Sequence, residues 1–130
     1  MSRTPLPLVD RLSRFDALVE VGIGRRTGLA AALEERGVRV VATDLHERSV
    51  PDGVRFVRDD VTDPEPAVYA DAELLYARNL PAELHRPLLD LARRIDAGCW
   101  FTTLGGEEPV VPIRREPLPR ETLYVARSPA

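Results

Sequence analysis

Glu20, Gly22 and Gly24 stand together in the stretch VEVGIGRRTGLA, Val19 to Ala30, directly after a short apolar run. Glycines let a backbone come close to a ligand, and the free N–H groups of a helix starting just beyond them favour a negative group. The carboxylate of Glu20 adds the opposite preference, because it can meet a cationic amine. Asp44 lies 22 residues after Gly22. At that distance an acid ending a second strand accepts hydrogen bonds from ribose hydroxyls and disfavours a 2′-phosphate. Asp60, with Asp59 beside it, follows a third apolar run. A dinucleotide fingerprint would place its third glycine at position 27, but that residue is Thr27 and Gly28 comes one place late. A G-x-G after a strand is also a plain turn; the spaced Asp44 is what points it toward an adenosine-type ligand.

Further polar residues flank this set. Arg25 and Arg26 could clamp a carboxylate or phosphate, or be solvated surface. Arg78 closes another apolar run, and the carboxyl ends of parallel strands line the crevice of an open sheet. The turn Asn79-Leu80-Pro81 is read as a helix entry with Pro81 at the first helical position. His85 is a candidate acid or base, and His46 either touches an adenine rim or sits on a surface loop. Helix capping and adenine contact account for two of Asp59, Asp60 and Asp63 without a metal. The two histidines show no metal-ligand spacing, so no metal site is expected.

The elements that must position these residues follow from hydrophobic patterning. A helix over roughly Leu8 to Arg14 precedes a strand at Ala17 to Val21, and a helix from about Thr27 to Arg36 stops at Gly37. The second strand, Val38 to Thr43, is apolar enough to be buried on both faces. The third is Val54 to Val57, and the nine residues between them, Leu45 to Gly53, are too few for the usual crossover helix. Asp63 is placed to cap a short helix opening at Pro64. The fourth strand is Glu73 to Ala77; a helix then carries Leu84, Leu88, Leu91, Ala92 and Ile95 on one face, with Pro87 as a point of breakage in its first turn. The fifth strand is Cys99 to Leu104. The proline-rich stretch after Gly105-Gly106 supports no helix, so the last strand, Thr122 to Arg127, returns antiparallel at or next to the fifth. These elements predict an α/β, Rossmann-like open sheet of strand order 3-2-1-4-5, mostly parallel, in three layers with thin helix cover beside strands 2 and 3.

Composition narrows the chemistry. The 130 residues, 44% hydrophobic, are read as one domain, 1–130. All 18 basic residues are Arg, which excludes a Schiff-base lysine and a phosphate-loop lysine. A net charge of −3 with scattered arginines argues against nucleic-acid and anionic-membrane surfaces and for a small-molecule ligand. Cys99, the only cysteine, reads as a buried small hydrophobe in a reducing compartment. With no apolar stretch near membrane-spanning length and no apolar leader, a cytoplasmic location is expected.

Glu20, Gly22, Gly24, Asp44 and Asp60 together resemble the motifs of class I S-adenosylmethionine (SAM)-dependent methyltransferases, over about Ala17 to Leu104. The resemblance implies a SAM or related adenosine cofactor. Glu20 would then meet the methionyl amine, Asp44 the ribose and Asp60 the adenine. Asn79-Leu80-Pro81 stands where amino-methylating enzymes have an Asn or Asp before two prolines and an aromatic, so the resemblance makes Asn79 and Pro81 candidates for holding a target amine; here there is one proline, and Ala82 replaces the aromatic. Over its whole length, above all in Val54 to Pro64 and Phe101 to Gly106, the chain is still more similar to a small uncharacterised archaeal family with a Rossmann-like, methyltransferase-like fold. Two other readings stand beside this one: an NAD or nucleotide-sensing regulatory module, and a non-catalytic interaction protein with a vestigial crevice. In that last case a homodimer would pair through the C-terminal edge strand. Glu20 is expected to be ionised and to face an open crevice.

Overall fold

Short runs of Val, Leu and Ala between glycine and proline breaks become strands wherever they can be buried on both faces. The first such run, β1 at Ala17–Val21, is buried at all five positions. The computed structural model describes residues 6–129. In chain order it contains α1 (Leu6–Leu12), β1, α2 (Gly28–Glu35), β2 (Arg39–Asp44), β3 (Arg55–Arg58), α3 (Pro66–Tyr69), β4 (Leu74–Ala77), α4 (Ala82–Ile95), β5 (Gly98–Phe101), β6 (Arg114–Leu118) and β7 (Glu121–Arg127). The sheet order is β3-β2-β1-β4-β5-β7-β6. β1 to β5 are parallel, and β7 runs antiparallel to both β5 and β6. The expected order and the antiparallel return of the last strand are both observed. The order reverses between β1 and β4, so the crevice of the sheet opens beyond their carboxyl ends.

Alternation along each strand sorts the side chains into two cores. Leu18, Tyr76, Trp100 and Val125 pack with α1 and α2 on one face. Val19, Val21, Leu75 and Phe101 pack with Tyr69 of α3 and with α4 on the other. Cys99 is buried in the second core, and burial pushes its thiol up to about 12. Trp100 makes an edge-on contact with Phe15 at 5.2 Å. Among the described residues, no helix is long and apolar enough to cross a membrane.

Between β2 and β3 the crossover carries no helix, as its length predicts. It turns at Gly53, whose φ of +87° favours glycine, and a Cβ there would collide with the Glu34 side chain of α2. Gly53→Ala is therefore expected to lower stability by about 1–2 kcal/mol through the left-handed backbone alone. An unchanged denaturation midpoint would show that this turn does not need glycine.

Three expectations are corrected. The short helix opens at Pro66, not Pro64, and Asp63 does not cap it; the Asp59 carboxylate accepts the Glu65 N–H at 3.3 Å and the Tyr69 hydroxyl at 2.5 Å instead. Pro87 lies inside a continuous α4 and breaks nothing. A proline in a helix interior costs roughly 3 kcal/mol, whereas burying each of Leu88, Leu89 and Leu91 contributes about 1.5–3 kcal/mol, so packing wins. Finally, β6 forms inside the proline-rich stretch and makes a hairpin with β7. β7 is thus hydrogen-bonded on both sides, and the edge expected to serve a homodimer is already taken. The new edge, β6, carries Arg114, Arg115, Glu116 and Pro117, residue types that discourage further strand pairing.

Candidate functional site

The turn after β1 folds back over β2. The N–H groups of Gly22 and Ile23 both donate to the Thr43 carbonyl, at 2.8 and 3.0 Å, and the Gly24 N–H donates to Asp44 Oδ2 at 2.8 Å. Gly22 and Gly24 have φ of +70° and +60°, and a Cβ added at either would meet nothing within 4 Å. Backbone therefore faces open space above the turn. Two cavities meet there. One, of about 280 Å³, is lined by Glu20, Gly22, Gly24, Arg78 and Asn79, with Arg25 and Arg26 at its border. The other, of about 310 Å³, is lined by Gly22, Asp44, Leu45, Asp60 and Val61. Gly22 belongs to both, so the five residues singled out in the sequence as ligand-binding are brought along one rim.

Asp44 ends β2 with its carboxylate turned toward the glycine turn. Besides Gly24, it accepts the His46 N–H at 3.0 Å, and the Arg48 guanidinium lies 3.4 Å away. Burial pushes this carboxyl up, but the His46 and Gly24 N–H groups and Arg48 outweigh it and hold it below the usual carboxylate range. Asp44 is thus a fixed anion: Oδ1 faces the His46 N–H and Arg48, and Oδ2, bonded to Gly24, keeps a lone pair free to accept a further bond. Asp60 accepts from both the hydroxyl and the N–H of Thr62, at 2.7 and 2.9 Å, which lowers its carboxyl as well.

Glu20 departs from expectation. In register it lies between Ala42 of β2 and Tyr76 of β4, and only 3% of it is exposed. Burial pushes its carboxyl up to about 8, with Arg78 opposing. The ionised, open-facing acid expected from the sequence is corrected to a buried acid that holds its proton at neutral pH. Its Oε1 has no hydrogen-bond partner, and the residue nonetheless lines the cavity beside Gly22 and Gly24.

Past β4, Asn79 takes a left-handed φ of 51° and its N–H donates to the Thr102 hydroxyl at 2.9 Å. Pro81 is the residue before α4, and Arg78 is half-buried at the cavity wall. His85 is fully buried: its Nε2 donates to the Leu80 carbonyl at 2.9 Å, its Nδ1 accepts the Val110 N–H at 3.2 Å, and its ring lies against Phe101 at 4.5 Å. Neither ring nitrogen faces the cleft. His46 is exposed on its loop, and Arg25 and Arg26 are exposed at the turn.

A family model described as an uncharacterised protein family, UPF0146, matches residues 6–127. The chain belongs to the UPF0146 family. A UPF0146 protein of Halobacterium salinarum is 52% identical over 117 residues, covering 89% of this chain and 91% of that protein. One of Archaeoglobus fulgidus is 43% identical over 90 residues, 69% of each. Among solved structures, an RNA methyltransferase of Salinibacter ruber in complex with S-adenosyl-L-homocysteine superposes with a TM-score of 0.64 at 19% identity, over 98% of this chain and 94% of that one. A TehB-like SAM-dependent methyltransferase of Corynebacterium glutamicum gives 0.64 at 17%, over 95% and 86%. The UPF0146 chain therefore has the Rossmann-like fold of these methyltransferases.

Sequence reasoning missed the buried polar row that Tyr76 and Trp100 form beside Glu20. They continue the cross-strand row that starts at Glu20, and both Tyr76 Oη and Trp100 Nε1 are buried without a partner. Both were readable only as core, because no local pattern reveals register with β1. The β6–β7 hairpin was missed too, and it supplies a wall of a further cavity that Asn79 also lines.

Proposed function

We propose that this UPF0146 protein binds SAM or a closely related adenosine ligand along the rim from Asp60 to Glu20. The observation that carries this reading is the buried Glu20 carboxyl with an unpartnered oxygen at the cavity beside the glycine turn. An orphaned buried acid costs free energy unless something satisfies it, and an α-amino group would. Asp44 is suited to a ribose hydroxyl through Oδ2, and Asp60 borders the space left for a base. Uncapped N–H groups at the start of α2, together with Arg25 and Arg26, suit the carboxylate of the same ligand. When bound, SAM supplies an electrophilic methyl group on a sulfonium. Asn79, which lines this cavity, is the residue placed to orient a molecule approaching it.

Calorimetric titration with SAM, S-adenosylhomocysteine, adenosine and NAD separately tests the reading. Asp44→Ala should weaken every adenosine ligand by about 1.5–3 kcal/mol, the range for a hydrogen bond to a charged group. Glu20→Gln should weaken SAM and S-adenosylhomocysteine but leave adenosine nearly unchanged. NAD binding tighter than S-adenosylhomocysteine, or equal loss of NAD and SAM on Glu20→Gln, would reject the amine contact. No binding of any of the four would leave the crevice vestigial.

A further inference from the structure

Next to the glycine-turn cavity lies a larger one, of about 690 Å³, between the loop after β5 and the β6–β7 hairpin. Asn79 lines both. Its size is that of a small-molecule site, but its lining is polar: Thr102 and Thr103 on one side, Arg115, Arg120, Glu121 and Tyr124 on the other. Two of its four charges cancel, because Arg115 pairs with Glu108, also in the wall, while its guanidinium lies 5.8 Å from the centre of the Tyr124 ring. Two remain. Among the described residues, neither Arg120 nor Glu121 takes part in an ion pair. Arg120 is exposed, whereas Glu121 is half-buried. The negative member of the pair therefore lies deeper in the wall and the positive member nearer the mouth.

From this polarity we infer that the cavity binds a small zwitterion bearing an amine and an acid group, with the amine inward at Glu121 and Asn79 and the acid outward at Arg120. A ligand carrying one charge alone would leave the other wall residue uncompensated, and an apolar ligand would desolvate both. The inference rests on the cofactor reading only for the role of the neighbouring cavity. Its contacts at Glu121 and Arg120 are independent of it.

The test is amide NMR of the full chain, without and with saturating S-adenosylhomocysteine. The probe is an equimolar mixture of the twenty standard amino acids, followed by each compound singly; acetate, methylamine and inorganic phosphate are the controls. The expected result is a set of shifts confined to Thr102 to Gly106 and Arg120 to Tyr124. At least one zwitterion should bind more than tenfold tighter than acetate or methylamine. Arg120→Gln and Glu121→Gln should each weaken it tenfold or more, in variants whose spectra keep the wild-type dispersion. The inference is overturned if phosphate or acetate moves the same amides as strongly with Glu121→Gln indifferent, which describes a bare anion site. It is equally overturned if no amino acid moves them in either state. Shifts at Gly22 and Gly24 on adding S-adenosylhomocysteine report separately on the cofactor reading, so one failure is not mistaken for the other.

Discussion

Glu20→Gln will make the folded protein more stable at pH 8 while leaving it nearly unchanged at pH 4.5. Burial moves the Glu20 carboxyl from its ordinary 4.5 to about 8 in the folded chain. Below pH 4.5 both folded and unfolded chains hold the proton, and the stabilising contribution is fully present. As pH rises from 4.5 to 8, the unfolded chain releases the proton and the folded one does not, so stability falls by about 1.4 kcal/mol per pH unit, roughly 4 kcal/mol over the interval. Gln has nothing to release. Its advantage at pH 8 is a large share of a typical domain stability of about 5–15 kcal/mol, and should raise the melting temperature by on the order of 10 °C. Thermal melts of both proteins across pH 4.5 to 8.5 provide the check. Parallel stability curves would mean that Glu20 is solvated and ionised in the folded chain.

The second large effect is on binding, and it has the opposite sign for the same residue. A ligand ammonium pairs with a carboxylate, so below pH 8 the Glu20 proton must leave when SAM or S-adenosylhomocysteine enters. Affinity should therefore rise close to tenfold per pH unit between pH 6 and 7, then turn over once the ligand amine itself loses its proton. Adenosine, which lacks the amine, should show a flat profile, as should the Glu20→Gln variant with any of these ligands. Calorimetry in two buffers of different ionisation enthalpy would also count about one proton released at pH 6.5. A pH-independent affinity for S-adenosylhomocysteine would remove Glu20 from the amine contact.

What was legible in the sequence follows the range of the interactions involved. The strand Ala17–Val21 is read residue for residue, because a continuous apolar run closed by glycine has few other outcomes. Glu20 and Asp44 were likewise placed at strand ends by spacing alone. The burial of Glu20 was not legible: it arises from register with Tyr76, 56 residues away, and from helices covering that face. Asp59 is legible only as the neighbour of Asp60, whereas its hydrogen bonds to Glu65 and Tyr69 make it the anchor of α3. β6 was not legible, since a proline such as Pro117 argues against a central strand yet is tolerated on an edge. His85 looked available because its partners, the Leu80 carbonyl and the Val110 N–H, come from loops whose return path has no sequence signature.

The Asp44 carboxylate bonds to Gly24 on one side and His46 on the other, so the glycine turn and the loop after β2 are clamped to a common point before any ligand arrives. A ligand entering there meets loops already ordered, and little conformational entropy remains to be lost at that end of the cleft. Association should then be governed by diffusion and by the proton on Glu20, with a single kinetic phase and no slow loop-closing step. Cutting the clamp with Asp44→Ala would give the turn freedom it does not now have, and a slow second phase would appear in stopped-flow traces.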